Sequence, residues 1–279
     1  MNALLPLTAH MIQRRELAPD VALLRLELED PQAIGPSGDN HQPGQFVMLS
    51  VPGVGEAPFS ICHAAHADNL ELCIRRTGSV TRRLFELGEN ALLGLRGPFG
   101  NGFPMEEMAG RDVLLIAGGL GMAPLRSVLQ HALRNRDSYG RLILVYGMGR
   151  QQEALFREDL EYWIDSPKLE VYLAVEHPLP NDFFPAEPGH VGMVLERLVL
   201  TADNTAAAIC GPPVMYGPVA KVLRSKRLYP EQVFFSFERR MECGIGHCGH
   251  CAISCRSTCQ DGPVFSAWEA RSLGEPLEV

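Results

Sequence analysis

The feature that most constrains this chain is a crowd of cysteines near its C-terminal end. Five of the eight cysteines lie between Cys243 and Cys259. A disulfide framework spreads its cysteines along a small secreted chain. This chain has 279 residues, and its N-terminal residues lack the basic segment and apolar core of a signal peptide. The crowding therefore predicts a metal centre held by thiolates.

The spacing of these cysteines narrows the choice of metal. Cys-x4-Cys-x2-Cys with a distant fourth Cys is the spacing of plant-type 2Fe–2S clusters, and the intervening glycines let the backbone turn its N–H groups towards the sulfurs. A zinc site also takes four thiolates, but it usually pairs Cys-x2-Cys twice. The spacing favours a cluster over zinc, with Cys255 as an alternative fourth ligand. The predicted ligands are Cys243, Cys248, Cys251 and Cys259.

Charge and hydropathy exclude several other functions. The formal net charge is −8, the opposite of the clustered positive charge that nucleic acids and anionic lipids attract. No apolar run reaches the ~18 residues of a membrane helix. We therefore expect no nucleic-acid partner, no membrane insertion and a cytoplasmic location.

The pattern of apolar residues changes along the chain. The first hundred residues hold short apolar segments between Gly and Pro clusters, which predicts a β-sandwich or barrel. From Arg111 onward, buried apolar runs alternate with helical segments, which predicts a parallel sheet. The tail is too short and too rich in Gly and Cys to build an apolar core. The predicted domains are 1–106, 107–238 and 239–279.

Two turns follow predicted strands of the parallel sheet. Gly118-Gly119-Leu120-Gly121-Met122 lies between a strand and a helix, where glycines let a pyrophosphate approach the helix N-terminus. Cys210-Gly211-Pro212 ends a second strand. Ligands of open α/β sheets bind at the carboxyl ends of the strands. Together the turns indicate a nucleotide site, although each alone is also typical of a packing turn.

Two further segments lie in the predicted β-domain. Pro58-Phe59-Ser60-Ile61 places a hydroxyl beside an aromatic ring, which suits the edge of a flat heterocycle. Arg75-Arg76-Thr77-Gly78-Ser79-Val80-Thr81 opens a predicted helix and suits a pyrophosphate. Taken alone, each is also an ordinary strand end or helix cap.

In this order, the four signals and the cysteine tail resemble a known family. The chain is similar to the ferredoxin–NADP reductase superfamily, and within it to the gamma (flavin) subunits of cytosolic NAD(P)-linked NiFe hydrogenases, the sulfhydrogenases. The B subunit of anaerobic sulfite reductase and the electron-transfer subunit of dihydroorotate dehydrogenase are also similar. Further motifs that carry the resemblance are Glu56 to Ile61, Gly97 to Pro104, Glu238 to Met241 and Cys259 to Phe265.

The resemblance implies three cofactors, FAD, NAD(P)H and a 2Fe–2S cluster, on a FAD-binding β-barrel domain, an NAD(P)-binding α/β domain and an iron–sulfur tail. It implies Ser60 beside the flavin N5 and Cys210 facing the nicotinamide, as the catalytic residues. The implied FAD-binding residues are Pro58, Phe59, Ser60, Ile61, Arg75, Gly78, Val80 and Thr81. The implied dinucleotide-binding residues are Gly118, Gly119, Gly121, Met122, Cys210, Gly211 and Pro212.

The chain also departs from the superfamily pattern. Ala57 stands where superfamily reductases usually carry an arginine two residues before the aromatic of the flavin motif. One phosphate contact must therefore come from elsewhere. Arg150 either pairs with a 2′-phosphate or is solvated, so the choice between NADH and NADPH stays open.

The predicted function is that of an electron-transfer flavoprotein subunit, an NAD(P)H-dependent oxidoreductase with diaphorase activity. Its implied partners are the iron–sulfur and catalytic subunits of a hetero-oligomer, with a NiFe hydrogenase as the first expectation. The alternatives are a stand-alone flavin or oxygenase reductase, a sulfite-reductase or dihydroorotate-dehydrogenase subunit, and a zinc-stabilised nucleotide-sensing regulator. We expect the partner to cover the cysteine loop and the segment Asp261 to Trp268.

Overall fold

The computed structural model describes residues 4–30, 41–66 and 69–274, and of residues 64–66 only the backbone. The chain forms two compact units, each made of two stretches of sequence. The first contains Met1–Gly102 and Glu238–Pro263, and the second contains Phe103–Phe237 and Val264–Val279. The predicted tail, residues 239–279, is thus shared between the units. Residues 238–263 are called the cysteine segment below.

Six antiparallel strands of the first unit close into a barrel. The elements are β1 Leu7–Ala18, β2 Val21–Leu28, β3 Phe46–Val51, β4 Gly55–His66, β5 Asn69–Arg75, α1 Ser79–Glu86 and β6 Ala91–Phe99, and the strand order is β1-β2-β5-β4-β3-β6. Successive side chains of a strand point to opposite faces. Val47 and Leu49 of β3 therefore fill the barrel interior, whereas Phe46 and Met48 pack against the cysteine segment.

The second unit is built on a parallel sheet. Its elements are α2 Met105–Met108, β7 Asp112–Gly118, α3 Met122–Arg134, β8 Leu142–Met148, α4 Arg157–Ile164, β9 Glu170–Val175, β10 Glu187–Pro188, α5 Val191–Arg197, β11 Thr205–Cys210, α6 Pro213–Ser225 and β12 Val233–Ser236. All seven residues of β7 are buried, as expected of a parallel strand covered on both faces. β7 pairs with β8 on one side and with β11 on the other.

The end of the chain contributes to both units. The cysteine segment contains a short hairpin and one helical turn, which are β13 Ala252–Ile253, β14 Arg256–Ser257 and α7 Thr258–Asp261. β15 Val264–Ser266 then pairs antiparallel with β12, and α8 Ala267–Ser272 follows it. The large sheet therefore has the order β10-β9-β8-β7-β11-β12-β15. The predicted fold class, a β-barrel and an α/β parallel-sheet domain with a cysteine tail, is confirmed.

Candidate functional site

The cysteine loop, residues 243–251, is shaped by glycines and by hydrogen bonds to sulfur. Gly244, Gly246 and Gly249 adopt φ values of 75°, 71° and 76°, a left-handed conformation that side chains with a Cβ disfavour. The Cys243 sulfur accepts the backbone N–H groups of three residues at 3.3–3.5 Å, which are Ile245, His247 and Cys248. The Cys259 sulfur accepts the N–H of Gly246 at 3.0 Å. Such N–H donors stabilise the thiolate form of cysteine, the form that binds metal.

The four predicted ligands lie together in one group. Backbone hydrogen bonds with His250 and Cys243, followed by a side-chain hydrogen bond with Cys243, lower the pKa of Cys248. Burial, followed by a side-chain hydrogen bond with Cys251, raises the pKa of Cys259 to about 12. Cys248 thus lies beside Cys243, and Cys259 lies beside Cys251 with Cys243 also near it.

The donor set fits a 2Fe–2S cluster. Such a cluster takes four thiolates, and here backbone N–H groups donate to the sulfurs of Cys243 and Cys259. Zinc also takes four thiolates, so the Cys-x4-Cys-x2-Cys spacing remains the reason to prefer the cluster. Cys255 is exposed at the hairpin between β13 and β14, and it stays the alternative ligand.

The four cysteines differ in how far they are buried. Cys251 and Cys259 are buried, Cys243 is half-buried and Cys248 is exposed. The buried pair packs with Met241 against Phe46 and Met48 of β3, and Phe99 of β6 borders the same cluster. The Phe46 and Phe99 rings lie 6.0 Å apart. One edge of the cysteine loop therefore rests on the barrel wall, and the other faces solvent.

The predicted flavin motif lies in the same part of the barrel wall. Phe46 pairs with Ser60 and Met48 pairs with Pro58 across β3 and β4. Cross-strand partners share a face of the sheet, so Ser60 and Pro58 lie on the face that carries the cysteine segment. Among the described residues, none gives the half-buried Ser60 hydroxyl a hydrogen-bond partner. That hydroxyl is available to a ligand.

The neighbours of Ser60 face the other way. Ile61 is fully buried in the barrel interior, and Phe59 is half-buried and packs against the same interior cluster. The structure thus separates Phe59 from Ser60, although the resemblance implies that both contact the flavin. Their contact with the flavin stays a prediction.

The residues predicted for the FAD pyrophosphate shape the start of α1. The Thr81 hydroxyl accepts the backbone N–H groups of Thr77 and Gly78, both at 2.9 Å, and the side chain of Val80 packs in the barrel interior. Gly78 is exposed, and a Cβ there would meet nothing within 4 Å. Arg75 is exposed as well. The turn is therefore built by the side chains of Val80 and Thr81. A phosphate has access to Gly78, to Arg75 and to the backbone of the turn.

The two glycine turns of the second unit pack directly on one another. A Cβ on Gly121 would lie 2.1 Å from the Cys210 carbonyl oxygen, and one on Gly118 would lie 2.7 Å from the Met215 sulfur. A Cβ on Gly211 would meet the Met215 methyl group at 2.5 Å. Gly119, at φ 50°, has nothing within 4 Å of its Cβ position. Three of the glycines are therefore required for packing, and Gly119 lines the open side of the turn.

The helices that follow these turns have N-termini suited to an anion. Neither α3, which begins at the buried Met122, nor α6, which follows Pro212, has an acidic residue in its first turn or a side-chain cap. A helix N-terminus carries a partial positive charge and unpaired N–H groups. Both helices start at the carboxyl ends of strands, where nucleotides bind in such sheets.

Cys210 occupies a different place from the one the resemblance implies. Its side chain is 2% exposed, and its thiol lies 4.0 Å from the Ser236 carbonyl oxygen. The Tyr216 hydroxyl donates to the same carbonyl at 2.6 Å. In this structure Cys210 therefore packs inside the second unit, and its role towards the nicotinamide stays a prediction.

The segment expected to meet a partner differs from its prediction as well. Residues 262–267 are buried. The Gly262 carbonyl accepts the backbone N–H of Asn101, β15 adds to the sheet of the second unit, and α8 begins directly after it. Asp261 and Trp268 are exposed. Only the ends of the predicted contact segment are therefore available at the surface. The sequence did not reveal this edge strand because it contains only three residues.

Two residues of the site region, Met215 and Arg96, were missed from the sequence. Met215 covers Gly118 and Gly211, but a methionine in a helix gives no signal of such a contact. Arg96 of β6 donates to the Cys243 carbonyl and pairs with Glu56 of β4. Arg96 and Cys243 are 147 positions apart, so the sequence gives no sign of their contact.

Solved structures define the class of fold. The chain superposes on the structure described as NADH-dependent reduced ferredoxin–NADP oxidoreductase with a TM-score of 0.75 at 19% identity, covering 96% of this chain and 92% of that chain. It also superposes on the ferredoxin reductase of carbazole 1,9a-dioxygenase with a TM-score of 0.67 at 26% identity, covering 82% and 68%. The chain therefore shares the fold of these ferredoxin reductases.

Curated relatives define the family. The chain is 37% identical to the sulfhydrogenase 2 gamma subunit of Pyrococcus furiosus over 98% of both chains. It is 34% identical to a probable electron-transfer subunit of dihydroorotate dehydrogenase B from the same organism, over 80% of this chain and 79% of that one. Residues 115–221 match the oxidoreductase NAD-binding domain, and residues 238–271 match the iron–sulfur cluster binding domain of dihydroorotate dehydrogenase B.

The chain therefore belongs to the family of sulfhydrogenase gamma subunits and dihydroorotate dehydrogenase electron-transfer subunits. The predicted resemblance is confirmed, and so is the presence of an NAD-binding and an iron–sulfur-binding domain. The prediction of an electron-transfer oxidoreductase subunit is confirmed at the level of the family.

Among the described residues, no helix combines the length and the apolar character that crossing a membrane requires.

Proposed function

We propose that this chain is the flavoprotein subunit that passes electrons between NAD(P)H and a partner oxidoreductase, by way of FAD and a 2Fe–2S cluster. NAD(P)H gives up two electrons as a hydride, FAD exchanges both hydride and single electrons, and the cluster carries one electron at a time. The catalysed reaction in this chain is thus the oxidation of NAD(P)H and the division of its electron pair.

The observation that carries the proposal is the shared face of β3 and β4 in the barrel wall. Ser60 of the flavin motif pairs with Phe46, and Phe46 packs in one cluster with the buried thiols Cys251 and Cys259. The residues that would hold the flavin edge and the thiols that would hold the cluster therefore lie on one face of the barrel wall, where Phe46 borders both.

Each group of residues has a limited task in this reaction. The Ser60 hydroxyl is available to hold the flavin edge, and the open Gly78 turn admits phosphate. The packed turns of Gly121 and Cys210 fix two helix N-termini for the dinucleotide. The proposed cluster ligands are Cys243, Cys248, Cys251 and Cys259. Positioning and electrostatics suffice, because hydride and electron transfer need no acid or base from the protein.

The exposed side of the cysteine loop is the proposed exit for electrons. Cys248 and its neighbours Gly249 and His250 are exposed, whereas Cys251 and Cys259 are buried against the barrel. Bound by these four cysteines, a cluster would be open to solvent at Cys248 and covered by the barrel wall at Cys251 and Cys259. A partner iron–sulfur protein that docks over Cys248 would receive electrons there.

We propose a NiFe hydrogenase as the catalytic partner. The match to the sulfhydrogenase 2 gamma subunit extends over 98% of both chains. The second candidate is a dihydroorotate dehydrogenase, favoured by the family model that matches residues 238–271. Affinity purification of the tagged chain from its native extract decides between them. Co-purifying nickel and hydrogenase activity support the first, and orotate-forming activity supports the second.

The test of the electron route is a comparison of Cys251→Ser with the wild-type chain. We expect the variant to lose the cluster yet keep flavin reduction by NAD(P)H, because the flavin motif lies on a separate strand. Cys255→Ser is the matched control and should keep both. A colourless wild-type protein that contains zinc would refute the proposal. A monomer that co-purifies with no iron–sulfur protein would favour the stand-alone reductase.

A further inference from the structure

Arg96 is a buried arginine in the wall of the barrel. It lies on β6, where it pairs with Met48 of β3, and its side chain is only 7% exposed. Buried arginines need partners for their charge and their five N–H groups. The partners of Arg96 connect it to both proposed redox sites of the first unit.

The first partner is Glu56, two residues before Pro58 of the flavin motif. The Arg96 Nε donates to the Glu56 Oε1 at 2.9 Å, and the Nη2 donates to the second carboxylate oxygen. This two-pronged pair ties β6 to β4, the strand that carries Ser60. The guanidinium also lies 5.5 Å from the centre of the Phe99 ring, within the range of a cation–π contact.

The second partner is the first cysteine of the loop. The Arg96 Nη1 donates to the Cys243 carbonyl oxygen at 3.0 Å. The contact spans 147 positions of sequence and holds the loop to the barrel at the residue whose sulfur accepts three backbone N–H groups. A full positive charge therefore lies directly behind one proposed cluster ligand.

The charges of the pair do not act equally on the cluster position. Arg96 touches the backbone of Cys243, whereas Glu56 contacts Arg96 from the β4 side. The Glu56 side chain is 22% exposed, against 7% for Arg96, so solvent screens the carboxylate more than the guanidinium. The nearer and more deeply buried charge at Cys243 is therefore the positive one.

We propose that Arg96 is a positioning residue that raises the reduction potential of the cluster, and that Glu56 sets how strongly it does so. This inference rests on the proposed function and concerns how the same site sets the reduction potential of its cluster. Reduction adds one electron to a four-thiolate cluster and makes it one unit more negative. A nearby positive charge favours that reduced form, because net charge and hydrogen bonding set cluster potentials.

The test is the midpoint potential of the cluster, followed by EPR during a redox titration of the purified holo-protein. Arg96→Gln leaves Glu56 uncompensated and should lower the potential. Glu56→Gln leaves Arg96 uncompensated and should raise it. A purely structural role would move both variants in the same direction, since each breaks the same buried pair.

Two further variants sharpen the result. Arg96→Lys keeps the positive charge but loses the two-pronged hydrogen bonding to Glu56. Its cluster should have a midpoint potential closer to the wild-type value than that of Arg96→Gln. Arg25→Gln breaks a second pair of the same barrel, in which Arg25 donates to Glu71 at 2.8 Å, and it should leave the potential unchanged. Iron content and the melting temperature of each variant are measured first, so that potentials are compared only between loaded proteins.

The outcomes separate this inference from the proposed function. Shifts of the two Gln variants in opposite directions support it. Shifts in the same direction, no shift, or a Lys variant as low as Arg96→Gln would overturn it. If Arg96→Gln does not hold its cluster, the Glu56→Gln variant alone tests the inference. An unchanged or lowered midpoint potential in Glu56→Gln then contradicts it. A wild-type protein without a 2Fe–2S cluster would instead refute the proposed function.

Discussion

The parallel sheet of the second unit and the cysteine segment of the first are ordered by different forces. Every residue of β7 is buried, so apolar burial is enough to order that strand. In the cysteine segment, glycines at positive φ expose the loop around Cys248, and only a few side chains such as Met241 and Cys259 reach an apolar cluster. We therefore expect the sheet to be independent of metal and the segment to depend on it.

The largest effect expected from this comparison is that of removing a cluster ligand. Cys251→Ser should abolish the EPR signal of the reduced 2Fe–2S cluster, because the thiolate of the buried pair is lost. Hydrogen exchange should then accelerate through residues 238–263, while the amides of β7 and β11 stay protected. Cys255→Ser should change neither measurement. Equal loss of protection in the sheet would contradict the separation of the two regions.

Substitutions in the glycine turns of the second unit should lower its stability and leave the cluster intact. In Gly121→Ala the new Cβ would meet the Cys210 carbonyl at 2.1 Å, and we expect about 3 kcal/mol or more of lost unfolding free energy. Gly119→Ala meets open space but holds φ 50°, and it should cost roughly 1–2 kcal/mol. Urea unfolding and NAD(P)H binding measure both. A larger loss for Gly119→Ala would show that the turns do not pack as described.

A smaller effect is expected at the flavin motif. Ser60→Ala should retain FAD but slow its reduction by NAD(P)H roughly tenfold, about 1.4 kcal/mol of barrier, because a positioned hydrogen bond is lost. Stopped-flow absorbance measures the rate, and the FAD content of the variant is the control. An unchanged rate would show that Ser60 has no role in flavin reduction.

The smallest effect concerns docking of the partner. Ile245→Glu places a charge on the half-buried loop beside the cluster and should weaken partner binding a few-fold, while dye reduction by NAD(P)H continues. Val199→Glu, at a position 82% exposed on the second unit, is the matched control and should bind normally. Equal weakening by both variants would mean that general charge, and not the loop, governs binding.

The sequence predicted the parts of the molecule that have a strong local pattern. The continuous apolar run of β7 and the cysteine spacing were both predictable, because burial on both faces and thiolate chemistry leave a local signature. Strand β1 was not predicted, since most of its residues are only partly buried. The contact of Arg96 with Cys243 was also beyond prediction, because it depends on how two distant segments pack.

The most direct measurement is an anaerobic titration of the purified wild-type chain with NADH and, separately, NADPH, followed by visible absorbance and EPR. We predict that the flavin is reduced and that the signal of a single reduced 2Fe–2S cluster per chain then appears. The nucleotide that reduces the flavin faster settles the choice between NADH and NADPH that Arg150 leaves open. Flavin reduction without any reduced cluster in the wild-type protein, or a chain that holds zinc in place of iron, would contradict it.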